Sequence, residues 1–205
     1  MNRMSRLDPN MLSDLKSGLN HGILVSNLTY LVAKKMGCSE EECYEIAVSG
    51  MVHDIGKIRL SEYLYGRNEG SLDVEEMKYM RMHPTVGYEV LQHYDFTETE
   101  KEIVLHHHEC YDGSGYPDHL KEEAIPMGAR ILKVTDTFAA LISERPYRKA
   151  FTVEEAVQIM IDEVKDFDMA AFIAFQRVVH EDGVMDGILN HWVNFDGIED
   201  VIGKL

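Results

Sequence analysis

The sequence is poor in the residues that mark disulfide-rich or membrane proteins. Its 205 residues include three cysteines and five prolines. Cys38, Cys43 and Cys110 are odd in number and irregularly spaced, which argues against a disulfide framework and favours a reducing cytoplasm. No apolar run approaches the roughly 18 residues of a membrane span, and no apolar signal core follows the N-terminus. We therefore expect a cytoplasmic protein without a membrane span.

Basic residues are also scarce. Lysine and arginine total 20 against 36 aspartates and glutamates, giving a formal net charge of −16. Binding to a nucleic-acid polymer needs a basic surface, so no such partner is expected. An acidic protein can still bind a phosphate ligand through a local positive site, which metal ions and a few basic side chains can supply.

Strand-like alternation is nearly absent, whereas apolar residues recur at helical spacing, first over residues 11–36. Pro84 is predicted to follow one helix and begin the next, with the preceding His83 held extended. Pro126 is predicted to begin a long helix over 127–142. Three capping boxes predict further helix starts: Ser39 with Glu42, Thr97 with Glu100, and Thr152 with Glu155.

These patterns predict an all-α helical bundle. A further capping pattern at Asp73 predicts a helix ending before Pro84, and residues 111–126 are predicted to form a loop. We divide the chain into an N-terminal helical extension (1–20), a main domain (21–180) and a C-terminal extension packed on that domain (181–205).

Ten histidines are present, and two dense runs contain several of them. Residues 106–117 read His-His-His-Glu-Cys-Tyr-Asp-Gly-Ser-Gly-Tyr-Pro, and residues 52–57 read Val-His-Asp-Ile-Gly-Lys. Histidine and aspartate brought together in a fold are typical of a metal centre that activates water. His107 and His108 would point about 100° apart on a regular helix, so both reach one ion only where the helix ends.

Three isolated residues complete this candidate metal set: His21, His83 and Asp136. Asp136 interrupts a strongly apolar helix, where an unpaired carboxylate would cost on the order of several kcal/mol. Each of the three, taken alone, is more often structural, but their presence together with His53-Asp54 and His107-His108 favours ligands. His106 and Cys110 are left out of the set, and four other histidines are interpreted as surface or packing residues: His93, His119, His180 and His191.

Lys57 lies three residues after Asp54, one helical turn further on. If the helix or a tight turn continues, its ammonium faces the same space and can hold a phosphate oxygen. A solvated lysine is the simpler alternative.

From His21 to Phe172, the chain resembles the HD-GYP domains, bacterial phosphodiesterases of the HD superfamily. The resemblance rests on these segments: His53-Asp54-Ile55-Gly56-Lys57, His83-Pro84, His107-His108-Glu109, Asp112-Gly113-Ser114-Gly115-Tyr116-Pro117, Ile125-Pro126, Ala129-Arg130-Ile131, Val134-Thr135-Asp136 and Arg145-Pro146-Tyr147-Arg148. It implies a helical bundle around a buried metal centre of two or three ions, often iron or manganese.

The resemblance also implies roles for individual residues. One ion would be held by His21, His53, Asp54 and Asp136, and the second by His83, His107 and His108, with Asp54 bridging both. Asp54 and Lys57 would be catalytic. Nucleotide contacts would come from Lys57, Tyr116, Arg145 and Arg148.

Members of this family typically hydrolyse cyclic di-GMP to pGpG and in some cases GMP, and some act on cyclic GMP-AMP. The Gly-Tyr-Pro loop implies contacts with GGDEF-type diguanylate cyclase domains. A metal-dependent cyclic dinucleotide phosphodiesterase is therefore the leading hypothesis. An inactive module that binds the dinucleotide or a cyclase partner is the main alternative, and a hydrolase of mononucleotides or another phosphoester is a third.

The chain departs from the family pattern at Cys110 and Leu60, where a basic residue and a proline are common, and at two positions near the metal set. Ser17 stands where members with a third metal have glutamate, so two ions are expected. Ala139 stands where a second aspartate is usual, which removes a carboxylate that is not a direct ligand in this scheme.

Overall fold

A computed structural model describes residues 9–64, 78–144 and 148–190. These residues form two short 3-10 helices, Glu122–Ala124 and Val164–Asp166, and, within the described ranges, no strand. They also form nine longer α-helices: α1 Pro9–Met36, α2 Glu40–Val52, α3 Ile55–Leu64, α4 His83–Leu91, α5 Glu98–His106, α6 Met127–Ile142, α7 Val153–Asp162, α8 Met169–Val179 and α9 Val184–Asn190. Residues 78–80 are also helical. The expected all-α class is therefore confirmed.

The three predicted capping boxes are present at the starts of α2, α5 and α7. At each, the Ser or Thr side-chain oxygen accepts from the backbone N–H of the third helical residue, which is a glutamate. The carboxylate of that glutamate accepts in turn from the backbone N–H of the Ser or Thr. Two backbone N–H groups that would otherwise have no partner are thereby hydrogen-bonded at each helix start. Asp168 caps α8 in a related way, accepting from the N–H groups of Ala170 and Ala171.

The hydrophobic core lies between α1, α6 and α8, with α2 and α7 packed at its sides. Leu28 and Val32 of α1 are fully buried there. Phe138 of α6 meets Phe175 of α8 edge-on, with ring centroids 4.9 Å apart. This packing leaves the opposite side of α6, which carries Asp136, facing His21 of α1.

Gly56 sets how closely α3 approaches α4. A β-carbon at this position would lie 2.0 Å from the carbonyl oxygen of His83 and 2.8 Å from the backbone nitrogen of Gly87. Both neighbours are backbone atoms that cannot rotate away, so only glycine allows this contact. The contact holds the His53-Asp54 turn beside His83.

Several predictions can be compared with these helices. The predicted helices over 11–36 and 127–142 are confirmed, and α3 begins directly after the turn at Asp54. The extended backbone expected at His83 is wrong: His83 is the first residue of α4, and Pro84 follows in its first turn. That first turn tolerates proline because its N–H has no helical partner. The helix start predicted at Asp73 lies outside the described residues.

The three-part division of the chain stays a prediction. α1 runs without interruption through the proposed boundary at residue 20, and α9 contacts α1 and α8. Among the described helices, none combines the length and apolar character needed to cross a membrane.

Candidate metal centre

The first cluster joins α1, α6 and the end of α2. His53 is the residue that ends α2, and Asp54 follows it in the turn before α3. Asp136 Oδ1 lies 3.0 Å from His21 Nε2 and 3.5 Å from His53 Nε2. His53 Nε2 also lies 3.5 Å from Asp54 Oδ1. One ligand atom each from His21, His53 and Asp54 lies within 4.8 Å of the others, close enough to hold one ion.

The second cluster consists of three imidazoles. His83 Nε2 lies 3.2 Å from His107 Nε2, and the ring centroids of His107 and His108 are 4.2 Å apart. His107 is the residue that ends α5, so the backbone leaves the helix where the two consecutive histidines must converge. One nitrogen from each of the three lies within 4.8 Å of the others.

Asp54 lies between the two clusters. Its Oδ1 is 3.5 Å from His53 Nε2 on one side and 3.4 Å from His83 Nε2 on the other. All seven residues predicted as ligands are thus brought together from five parts of the chain. The part played by each in binding stays a prediction.

Backbone carbonyls orient three of the imidazoles. The Nδ1 atoms of His53, His83 and His107 lie 2.8, 2.6 and 2.6 Å from the carbonyl oxygens of Gly50, Met80 and Val104, respectively. A carbonyl oxygen only accepts, so each Nδ1 carries the proton. In neutral His83 and His107 the lone pair is then on Nε2, the nitrogen that faces the cluster, as in metal-binding histidines. His53 takes the same form when a metal ion displaces its second proton.

The polar atoms at the centre need a cation. With both Nδ1 atoms protonated, the facing Nε2 atoms of His83 and His107 are two acceptors with no proton between them. His53 Nε2 and Asp54 Oδ1 are buried and have no hydrogen-bond partner. Leaving such groups unpaired is costly. A bound metal ion supplies the missing partner, so the residues present fit a metal site.

The electrostatics of the two clusters differ. Burial lowers the pKa of His83 to about 4 and that of His108 to about 3, and it holds the pKa of His107 well below its usual value. Burial alone would also lower the pKa of His53, but the adjacent carboxylates of Asp54 and Asp136 outweigh it and raise that pKa to about 9. The second cluster therefore consists of neutral imidazoles, whereas the first contains opposite charges.

The predicted nucleotide-binding residues have different surroundings. Lys57 Nζ lies 2.7 Å from Asp54 Oδ2, the oxygen that points away from the clusters. The Tyr116 ring stacks on His108 with centroids 4.9 Å apart. Arg148 donates to the carbonyls of Leu141 and Ala140 near the end of α6 and to the carbonyl of the adjacent Lys149. Its contact with nucleotide stays a prediction. Arg145 lies outside the described residues.

The loop after His108 is fixed by residues that the motif analysis left out of the site. Glu109 is buried and accepts from the N–H of Asp118 at 2.7 Å, while His106 Nε2 lies 3.0 Å from Asp118 Oδ2. A β-carbon on Gly115 would lie 2.2 Å from the backbone nitrogen of Cys110. His106 therefore anchors the loop and lies outside both clusters.

The surface interpretation is confirmed for His93, His119 and His180, which are exposed, while His191 lies outside the described residues.

Comparison with known families decides the assignment. A family model described as an HD domain matches residues 5–171. The chain belongs to the HD-domain family. Its HD-GYP character, expected from the motifs, is confirmed by curated relatives. The cyclic di-GMP phosphodiesterase response regulator RpfG of Xanthomonas campestris is 44% identical over 135 residues, covering 65% of this chain and 35% of that protein.

Two other relatives have related names. The cyclic di-GMP phosphodiesterase of Thermotoga maritima is 38% identical over 151 residues, covering 72% of this chain and 41% of that protein. The 3'3'-cGAMP-specific phosphodiesterase 1 of Vibrio cholerae is 35% identical over 144 residues, covering 70% and 33%. This HD-domain chain thus spans less than half the length of these curated relatives.

Solved structures share the fold. Bd1817, an HDG"Y"P protein from Bdellovibrio bacteriovorus, superimposes with a TM-score of 0.64 at 22% identity, covering 84% of this chain and 57% of that one. A cyclic GMP-AMP specific phosphodiesterase of V. cholerae, V-cGAP3, gives 0.64 at 18% identity, covering 94% and 52%. The expected HD-type helical bundle is therefore confirmed.

Proposed function

We propose that this HD-domain chain is a metal-dependent phosphodiesterase that hydrolyses cyclic di-GMP to pGpG or GMP. The observation that carries the proposal is the single carboxylate of Asp54 placed between two histidine clusters. Relatives named as cyclic di-GMP and 3'3'-cGAMP phosphodiesterases support the substrate class. Cyclic GMP-AMP is the second substrate to test. A cytoplasmic location, where the three free cysteines stay reduced, is part of the proposal.

The proposed cofactors are two divalent ions, iron or manganese. His21, His53, Asp54 and Asp136 would hold one, and His83, His107 and His108 the other, with Asp54 reaching both. Ligand sets of imidazole and carboxylate accept both metals. Bound there, a pair of divalent cations supplies Lewis acidity and lowers the pKa of water, so that a nucleophile is present near neutral pH.

The chain's own residues position the substrate. The Lys57 ammonium holds Asp54 Oδ2 at 2.7 Å, which leaves Oδ1 turned toward the clusters. Lys57 is also partly exposed and can donate to a phosphate oxygen of the substrate. Tyr116, whose ring stacks on His108, is proposed to contact the nucleotide beside the second cluster.

Two arginines, Arg145 and Arg148, are proposed to contact the nucleotide. Arg148 has three of its N–H groups committed to backbone carbonyls, and within the described residues Nε–H and one N–H of Nη2 have no such partner and can donate to a ligand. Arg145 is proposed for the same role on the motif alone. Contacts between the loop 111–117 and a GGDEF-type cyclase domain are proposed on the same basis.

The test is metal content and turnover measured on one anaerobic preparation supplied with Fe(II) or Mn(II). Two ions per chain and metal-dependent release of pGpG or GMP are expected. Activity that persists after chelation and dialysis would overturn the proposal. Two ions with tight binding of cyclic di-GMP but no turnover of either cyclic dinucleotide would favour the inactive binding module instead.

A further inference from the structure

A layered stack leads from the second histidine cluster to the surface. The Tyr116 ring lies nearly parallel to the His108 ring, at 19°, with centroids 4.9 Å apart. On Tyr116, the guanidinium carbon of Arg81 lies 5.2 Å from the ring centroid. The interaction between a guanidinium and an aromatic face holds the cation in this place. Arg81 is therefore separated from the cluster by a single aromatic ring.

The backbone that carries Arg81 is tied to the same cluster. Arg81 lies in a turn closed by a hydrogen bond from the N–H of Met82 to the carbonyl of Tyr79 at 2.9 Å. The neighbouring carbonyl, that of Met80, accepts from His83 Nδ1 at 2.6 Å. The turn that orients His83 therefore also fixes where Arg81 starts, so the arginine is positioned by the site.

The charge of Arg81 is not neutralised by an ion pair within residues 9–64, 78–144 and 148–190. Its side chain is exposed, and no carboxylate in those ranges lies within ion-pair distance. A guanidinium stacked through its face keeps its edge N–H donors directed outward, in the fork that matches two phosphate oxygens.

A cyclic dinucleotide has two phosphodiester groups, and only one of them can lie at the metal centre during cleavage. The other must lie several ångströms away, where it remains anionic and needs a partner. We propose that Arg81, held on Tyr116, binds the second, non-scissile phosphate of the cyclic dinucleotide. This inference rests on the proposed function and adds a substrate-binding residue outside the recognised motifs.

The test compares a substrate with two phosphates and a substrate with one. Arg81→Gln is assayed against cyclic di-GMP and against bis(p-nitrophenyl) phosphate, each with the metal-loaded protein. Loss of a bidentate charged contact is expected to raise KM for cyclic di-GMP about 10- to 100-fold, with metal content unchanged. Because the single-phosphate ester does not reach Arg81, its kcat/KM should stay the same.

Two further variants sharpen the comparison. Arg81→Lys keeps the charge but not the fork, so an intermediate KM is expected. Arg177→Gln removes another exposed arginine, from the last turn of α8. It should leave KM for cyclic di-GMP and kcat/KM for bis(p-nitrophenyl) phosphate unchanged. An unchanged KM in Arg81→Gln, or an equal loss on both substrates with loss of metal, would overturn the assignment.

Failure of the proposed function gives a different result. A wild-type protein that cleaves bis(p-nitrophenyl) phosphate but neither cleaves nor binds a cyclic dinucleotide would overturn the proposed function, and the role of Arg81 with it. A wild-type protein that cleaves cyclic di-GMP with the same KM as Arg81→Gln would overturn the role of Arg81 alone.

Discussion

The two histidine clusters lie side by side but differ in how the cost of burying their polar groups is reduced. The cluster of His21, His53 and Asp136 contains carboxylate, so opposite charges offset one another. The cluster of His83, His107 and His108 consists of imidazoles alone, and their pKa values are lowered until they stay neutral. At pH 7 the imidazoles of the second cluster bind no extra proton, so only a metal ion can bring positive charge to their ring nitrogens. The second cluster therefore depends on the cation more directly than the first.

Asp54 is the one residue that both clusters share, so its removal should have the largest effect. Asp54→Ala is expected to weaken both ion positions and lower kcat/KM by about 10³-fold or more, because several kcal/mol of charge stabilisation depend on the ions. Metal analysis and cyclic di-GMP turnover measure it. Asp162→Ala, at the exposed end of α7, is the matched control. Retention of both ions in Asp54→Ala would contradict the shared position.

Removing one imidazole should separate the clusters. His107→Ala leaves the second cluster with two imidazoles and the shared carboxylate, so about one of two ions is expected to be lost while the first stays bound. His21→Ala leaves the first cluster with an imidazole and two carboxylates, so its ion should be retained with weaker affinity. His93→Ala, at an exposed position, should bind metal like the wild type.

Titration with a chelator provides the measurement, with the metal content of each variant followed as chelator increases. Equal loss in His107→Ala and His21→Ala would show that the two clusters release their ions together. The difference between the clusters would then have no consequence for binding.

Acid should destabilise the metal-stripped protein through the second cluster. In the unfolded chain the three imidazoles protonate near pH 6.5, whereas folded His83 and His108 stay neutral down to about pH 4 and 3. The unfolded state then binds more protons, and stability falls as the pH drops below about 7. Between pH 7 and pH 5 the loss is roughly 2 kcal/mol for each such histidine.

His53 acts in the opposite direction and offsets part of this loss, since its pKa of about 9 keeps it protonated in the folded state while the unfolded chain gains its proton only near pH 6.5. Its contribution is lost instead as the pH rises from about 6.5 toward 9. Urea unfolding at pH 7, 6 and 5, with and without Mn(II), checks this. The decline should be reduced when metal is bound, and a stripped protein equally stable at pH 7 and 5 would contradict it.

The sequence predicted what short patterns control. The capping boxes at Ser39, Thr97 and Thr152 join residues three apart, so each can be recognised without knowing the fold. The seven candidate ligands are selected from their residue types and surroundings, their division between two ions rests on resemblance to a family, and the structure brings them together. Arg81 and Tyr116 could not have been paired in this way, because residues 35 positions apart meet only through the packing of the turn before α4 against the loop.

Local rules also failed in one instructive place. Steric restriction before proline predicted an extended backbone at His83, yet this residue begins α4. The close contact between Gly56 and the His83 carbonyl, together with the bond from His83 Nδ1 to Met80, holds it there. A tertiary contact with Gly56 and a local hydrogen bond to the Met80 carbonyl together therefore outweigh the steric preference before proline.

The smallest expected effect concerns how α5 supports the second cluster. Thr97 caps the helix that ends at His106, immediately before His107, whereas Thr152 caps α7. Each substitution to alanine should cost about 1 kcal/mol of stability, because each removes one capping bond. Thr97→Ala also removes the exposed hydrogen bond that the Thr97 hydroxyl donates to Glu45 at 2.9 Å. Thr97→Ala should in addition make the second ion easier to remove by chelator, since fraying of α5 loosens the backbone that holds His107. Thr152→Ala is the control, with similar destabilisation and unchanged metal release. Identical metal release from both variants would show that the ligands are fixed by their own contacts and not by the helix start.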